Sequence, residues 1–123
     1  MAVPILKQGP NLVASIQGAL TDQDLVQLSE DLSERVGRHR SRGVVIDVSA
    51  LDVMDSFATR TIRSIAQMTR LRGASTVIVG IQPDVAFAMV QLGLTLDGVA
   101  TALDLEEGLA ILGRPEPAAD HGQ

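Results

Sequence analysis

The chain contains no cysteine. Disulfides, thiolate metal ligation and cysteine nucleophiles are thereby excluded, and nothing asks for an oxidising compartment. Tryptophan and tyrosine are also absent and phenylalanine occurs twice. The rings that stack sugars or unpaired bases are missing, so the core has to be aliphatic. Lysine occurs only at Lys7, and ten Lys and Arg against fifteen Asp and Glu leave a net charge of −5. That balance opposes attraction to nucleic acid or to an anionic membrane, and neither is an expected partner. No apolar run approaches the roughly 18 residues of a membrane span, and Met1-Ala2-Val3-Pro4-Ile5-Leu6-Lys7 has no apolar core behind a basic start. A cytoplasmic protein is expected. Neither Gly-x-Ser-x-Gly nor a phosphate-binding glycine loop occurs, and His39 and His121 are isolated, so no catalytic constellation can be assembled.

With 123 residues, 46% of them hydrophobic, the chain has aliphatic material for one domain and too little length for two. That domain is expected over 1–112. Residues 113–123 carry two prolines and almost no large apolar group, and are expected to be a disordered tail. Apolar runs at 3–7 and 12–17 flank Gln8-Gly9-Pro10-Asn11 and predict a hairpin. Thr21, with Asp24 three residues on, starts a helix through Leu25, Leu28, Leu32 and Val36, with Gly37 offering a stop. The β-branched runs 43–48 and 75–80 predict strands covered on both faces. A second helix is predicted from Asp55-Ser56 to Gly73, with Ile62, Ile65 and Met68 inward. A third opens at Ile81-Gln82-Pro83-Asp84, turns Val85, Met89 and Leu92 inward and closes at Gly93. Ala100-Thr101-Ala102 suggests a last short strand. A fourth helix is capped at Asp104 and faces inward through Leu105, Leu109 and Leu112. The order ββαβαβα(β)α predicts an α/β domain with a mixed four- to five-stranded sheet and four helices.

In such sheets functional groups gather beyond the carboxyl ends of the strands. Segments 21–24, 47–56 and 81–84 fall there. In the middle one, Asp47, Asp52 and Asp55 are a set of carboxylates able to bind a hard cation. The plainer assignment has Asp55 capping the helix, Asp52 facing water and Asp47 bonding to loop amides; no metal or other cofactor is expected. Ser56 follows the cap, so its hydroxyl projects beside free backbone N–H groups at the positive end of the helix dipole. A phosphate added there would meet those amides and Arg60, one turn along, and would repel Asp55. The alternative for Ser56 is an ordinary polar residue of a helix start. Thr59 is a second hydroxyl nearby, and Met54 and Phe57 flank the site as interface groups or as core. Arg35, Arg38, Arg40 and Arg42 with His39 form a basic run. It offsets a helix dipole, or pairs with acidic groups such as Glu106 and Glu107 of a neighbouring subunit.

The stretch Gly43-Val44-Val45-Ile46-Asp47-Val48-Ser49-Ala50-Leu51-Asp52-Val53-Met54-Asp55-Ser56-Phe57 resembles the strand, loop and helix start of the sulfate-transporter and anti-sigma-factor-antagonist (STAS) domain family. Within that family it is most similar to the small stressosome antagonists. Pro4-Ile5-Leu6-Lys7 and segments 80–86 and 101–109 share the likeness, which spreads over residues 3–112. The resemblance implies a non-enzymatic, cytoplasmic scaffold and antagonist. The serine directly after the aspartate, here Ser56, would be phosphorylated by a partner serine kinase, with Thr59 as the alternative. Met54, Asp55, Phe57 and Arg60 would form the switch surface. Sensor co-antagonists ending in a similar domain would join it in a large hetero-oligomeric shell, or it would form a homo-oligomer. The shell would hold the kinase until phosphorylation frees it to act in a stress or signalling pathway. The alternative role is a stand-alone anti-sigma-factor antagonist that binds an anti-sigma kinase directly. With no sensor domain ahead of it, the chain is not expected to be the sensing subunit. At Ala58 it departs from the glycine that many members carry, which narrows the backbone approach there. A receiver-type phosphoacceptor fits poorly, because no acid precedes Asp22 and the one lysine is Lys7.

Overall fold

Three near-continuous aliphatic runs put an apolar side chain on each face of their strands, and such strands have to lie inside a sheet covered on both sides. The computed structural model describes residues 3–18 and 20–114 and has this arrangement. The expected tail lies, from residue 115 on, outside the described residues. β1 (Ile5–Gln8), β2 (Asn11–Ser15), β3 (Gly43–Asp47), β4 (Ser75–Val79) and β5 (Ala100–Ala102) form one sheet in chain order. β1 runs antiparallel to β2 and every other pair is parallel, with Val13, Val45 and Val77 in register across the middle. Val44, Val45, Ile46, Val77, Ile78 and Val79 are buried, as expected for its centre.

The helices are α1 (Asp22–His39), α2 (Ser56–Leu71), α3 (Pro83–Gln91) and α4 (Leu105–Leu112). The first three contribute to a large cluster built around Leu12, Ile46, Ile62 and Ile78. On the other face Val13, Val45, Val77 and Val79 form a smaller cluster under Leu105, Leu109 and Leu112 of α4. Caps set the starts. Thr21 and Asp24 make a reciprocal capping box: Thr21 N–H donates to Asp24 at 3.1 Å, and Asp24 N–H donates to the Thr21 hydroxyl at 3.0 Å. The Thr21 backbone and side-chain bonds hold the Asp24 carboxyl below its ordinary value. Asp104 caps α4 by accepting from Glu107 N–H at 2.9 Å.

Three expectations are corrected. α1 does not stop at Gly37 but runs on to His39 and ends at Arg40 in the left-handed conformation, φ 49°. Gly37 lies within the helix, and the atoms a Cβ there would approach belong to the guanidinium of the exposed Arg72, which is free to move aside. In α2 the inward place expected for Met68 belongs to Thr69, whose buried hydroxyl donates to Ala66 O at 3.1 Å and lies 2.8 Å from that of Thr76. A threonine can face the core because both its polar needs are met there. Leu92 caps the end of α3 and is exposed, while Leu94 packs on the large cluster in its stead.

Candidate functional site

The loop from β3 to α2 is anchored before it is functional. The Asp47 carboxylate accepts from Ser49 N–H at 2.9 Å, turning the chain at the strand end. Leu51 and Met54 then drop into the large cluster, so the segment is pinned twice and Asp52 and Val53 are left outside. Asp55 stands at the N-cap in extended conformation and accepts from Ala58 N–H at 2.8 Å. Its backbone carbonyl receives Thr59 N–H at 3.0 Å, closing the first turn.

Ser56 is therefore the first residue of α2, exposed, directly beside the cap. At this position the backbone N–H groups of Ser56 and Phe57 belong to the unpaired set of a helix start, and the dipole adds positive potential. Arg60 is exposed one turn along. Phe57 is half-buried and lines a shallow groove between α1 and α2 with Val26, Glu30, Arg60 and Ser64. Met54 belongs to the core and not to the surface. Thr59 is fully buried, and its hydroxyl has no hydrogen-bond partner among the described residues. Ser56 and Thr59 thus differ sharply although one helical turn separates them: one hydroxyl faces solvent and the other faces the core. Ala58 lines a cleft of about 140 Å³ between the starts of α1 and α2, together with Ile16, Asp22, Leu51 and Asp55.

The three carboxylates are each engaged separately. Asp47 and Asp55 serve amides, and Asp52 lies 3.5 Å from the Gln82 side-chain nitrogen. Among the described residues no group of three metal-ligating side chains converges. The basic run is also dispersed: Arg35 donates to Ile5 O at 2.9 Å, Arg38 pairs with Glu34, and Arg40 and Arg42 are exposed.

Two features escape the sequence pattern. The Gln82 side-chain amide donates to Ser49 O at 2.8 Å, latching the β3–α2 loop to the β4–α3 loop. At Gly80, φ +81°, a Cβ would come within 2.8 Å of the Ser49 Cβ, so the latch depends on a missing side chain. A glycine-then-Gln-Pro signal marks a helix start, but nothing local says that it touches a loop more than thirty residues away.

The family model of the STAS domain matches residues 2–107. Among curated proteins, the RsbT co-antagonist protein RsbRA of Bacillus subtilis (strain 168) is 29% identical over 110 residues, which is 89% of this chain. The chain spans 40% of the length of that relative. Among solved structures, an RsbS of Moorella thermoacetica carrying a serine-to-glutamate substitution is 41% identical with a TM-score of 0.77, over 89% of this chain and 93% of that one. A chain of the stressosome, described as a signal integration and transduction hub, is 40% identical with a TM-score of 0.73, over 89% and 95%.

Proposed function

The chain belongs to the STAS-domain family and has the fold of an RsbS-like stressosome antagonist, and from that premise we propose that it is a stressosome scaffold that sequesters a partner serine kinase and releases it when Ser56 is phosphorylated. The observation that carries this reading is the exposed Ser56 hydroxyl on the first residue of α2, directly after its aspartate cap. The likeness to an RsbS and to a chain of the stressosome supports assembly with co-antagonists that end in a similar domain. No catalytic step is assigned to the chain itself. The assembly is cytoplasmic in this reading, and among the described residues no helix is long and apolar enough to cross a membrane.

The switch is an electrostatic event at a helix start. A kinase transfers the terminal phosphoryl group of a nucleoside triphosphate to the Ser56 hydroxyl, adding about 1.5 to 2 negative charges at neutral pH. The free amides of the first turn and the Arg60 guanidinium attract the new group, while Asp55 and Asp52 repel it. Asp55 already holds Ala58 N–H, so the phosphate competes with the cap and remodels the exposed rim that Val53 and Phe57 share. A kinase seated on that rim meets a changed charge and a changed shape. Met54, being core, contributes by holding the loop and not by contact with a partner.

The test is mass spectrometry after incubation with the kinase and ATP, paired with co-elution of chain, co-antagonist and kinase. Phosphate is expected on Ser56 and lost in Ser56→Ala, which still folds, assembles and retains the kinase. Ser56→Asp supplies one charge and releases it only in part. Equal phosphate in wild type and Ser56→Ala overturns the assignment. Co-elution with a kinase but never with a co-antagonist would favour the stand-alone antagonist.

A further inference from the structure

Between the starts of α1 and α2 the side chains do not meet. Ala58, in the first turn of α2, offers only a methyl group there, and the cleft of about 140 Å³ results. Its walls are Ile16, Leu25, Leu51 and Ile62, all of them buried. Backbone hydrogen bonds fix three of these walls: Ile16 N–H donates to Asp47 O at 3.0 Å, Leu25 N–H to Thr21 O at 3.1 Å and Leu51 N–H to Val48 O at 2.9 Å. The cleft is therefore preformed, and a ligand entering it meets walls that are already ordered.

The mouth has a different chemistry. Asp22 and Asp55 line it and are exposed. Each stands at a helix start, where the dipole supplies about half a positive charge, so two carboxylates and two helix starts leave about one net negative charge. One Asp55 oxygen accepts from Ala58 N–H, and neither carboxylate has an ion-pair partner among the described residues. Among those residues no basic side chain lines the cleft, and the one lysine, Lys7, lies in β1. Capping and dipole compensation account for the carboxylates. They do not account for an apolar cleft between them.

We propose that the cleft binds a small organic cation, a primary ammonium carrying an apolar group of about five or six carbons, since an apolar cavity of about 150 Å³ takes benzene. The ammonium sits at Asp22 and Asp55 and the apolar group among Ile16, Leu25 and Ile62. Other small ligands satisfy only half of the site. A metal ion leaves the apolar walls uncovered, an alcohol leaves the mouth without a counter-charge, and a carboxylate is repelled. Amines that remain when an apolar amino acid loses its carboxyl group as carbon dioxide have the required form, whereas the amino acid itself brings a further carboxylate to the mouth. Binding depends on the cleft and not on phosphorylation of Ser56, so the two readings fail separately.

Methyl-resolved NMR of the full chain, titrated with isopentylammonium chloride, isopentyl alcohol and free leucine, tests this. The ammonium is expected to shift the Ile16, Leu25 and Ile62 methyl signals saturably, and to bind about tenfold tighter than the alcohol or the amino acid. Asp22→Asn should weaken the ammonium at least about threefold and leave the alcohol unchanged, which a general loss of structure would not do. Ala58→Met fills the cleft from α2 and should abolish the shifts, its dispersed amide spectrum reporting that it folds. Four results overturn the proposal: no saturable shift at these methyls, alcohol or leucine bound as tightly as the ammonium, Asp22→Asn binding as wild type does, or binding retained in folded Ala58→Met.

Discussion

The face of the sheet under α1, α2 and α3 and the face under α4 are made by the same strands, residue alternating with residue, yet they are sealed in different ways. On the first face, side chains do the sealing: Leu28 and Leu32 of α1 and Ile62 and Ile65 of α2 are buried against Leu12, Ile46 and Ile78. On the second, an eight-residue helix must cover Val13, Val45, Val77 and Val79 with side chains that are themselves only half-buried. It succeeds by coming close. Gly108 is the one buried residue of α4, and a Cβ there would lie 2.6 Å from the Val79 Cγ1 and 3.4 Å from the Val77 Cγ1. The thick face is redundant, and the thin face depends on a missing side chain. The start of α2 stands on the thick face, so the rim that carries Ser56 is supported by packed helix and not by loop alone.

The comparison breaks most visibly where the thick face is cut. Ile62→Ala removes a fully buried side chain between α2 and the sheet and should cost about 2–5 kcal/mol, read as a lowered urea midpoint. Gly108→Ala tests the thin face. Helix propensity favours alanine by about 1 kcal/mol, but the added Cβ drives into a stiff valine of β4, and overpacking typically costs about 1–3 kcal/mol. A net loss is expected; a gain would show that α4 rides out freely and that the close approach is not what seals that face.

Thr59→Val sharpens the contrast in the other direction. The hydroxyl is buried without a partner among the described residues, so replacing it by a methyl should stabilise the domain by about 1 kcal/mol while leaving the proposed phosphorylation at Ser56 unaffected. The smallest effect is a pH dependence at the start of α1. The Asp24 carboxyl is held below its ordinary value of 3.8, chiefly by Thr21 N–H and then by the Thr21 hydroxyl. A depressed folded-state value means stability that is present above 3.8 and is lost as pH falls through the lower folded value. An NMR titration should find Asp24 titrating below an unperturbed aspartate, and closer to it in Thr21→Ala.

The candidate site was legible as far as chemistry is local. An aspartate followed by serine before an apolar repeat specifies a cap and an exposed hydroxyl, and Asp55 and Ser56 occupy those positions. Whether Thr59 and Met54 face water or the core depends on what lies across from them, and the structure buries both. The Gln82 latch was invisible for the same reason: its partner, Ser49, lies on another loop.

The sequence by itself determined the placement of the strands, the starts of three helices at Thr21, Asp55 and Asp104, and the aliphatic stripe Leu25, Leu28, Leu32 and Val36. These follow from backbone periodicity and from hydrogen bonds spanning three residues, which no distant neighbour is needed to complete. Only the tertiary structure decided that α1 passes through Gly37, that Thr69 displaces Met68, that Leu94 packs where Leu92 was expected, and that Gly108 lets α4 meet the sheet. At each of these positions local preference is weak or divided, and the outcome is set by the rest of the chain, as where the Thr76 hydroxyl meets Thr69 or the valine methyls of β4 meet Gly108.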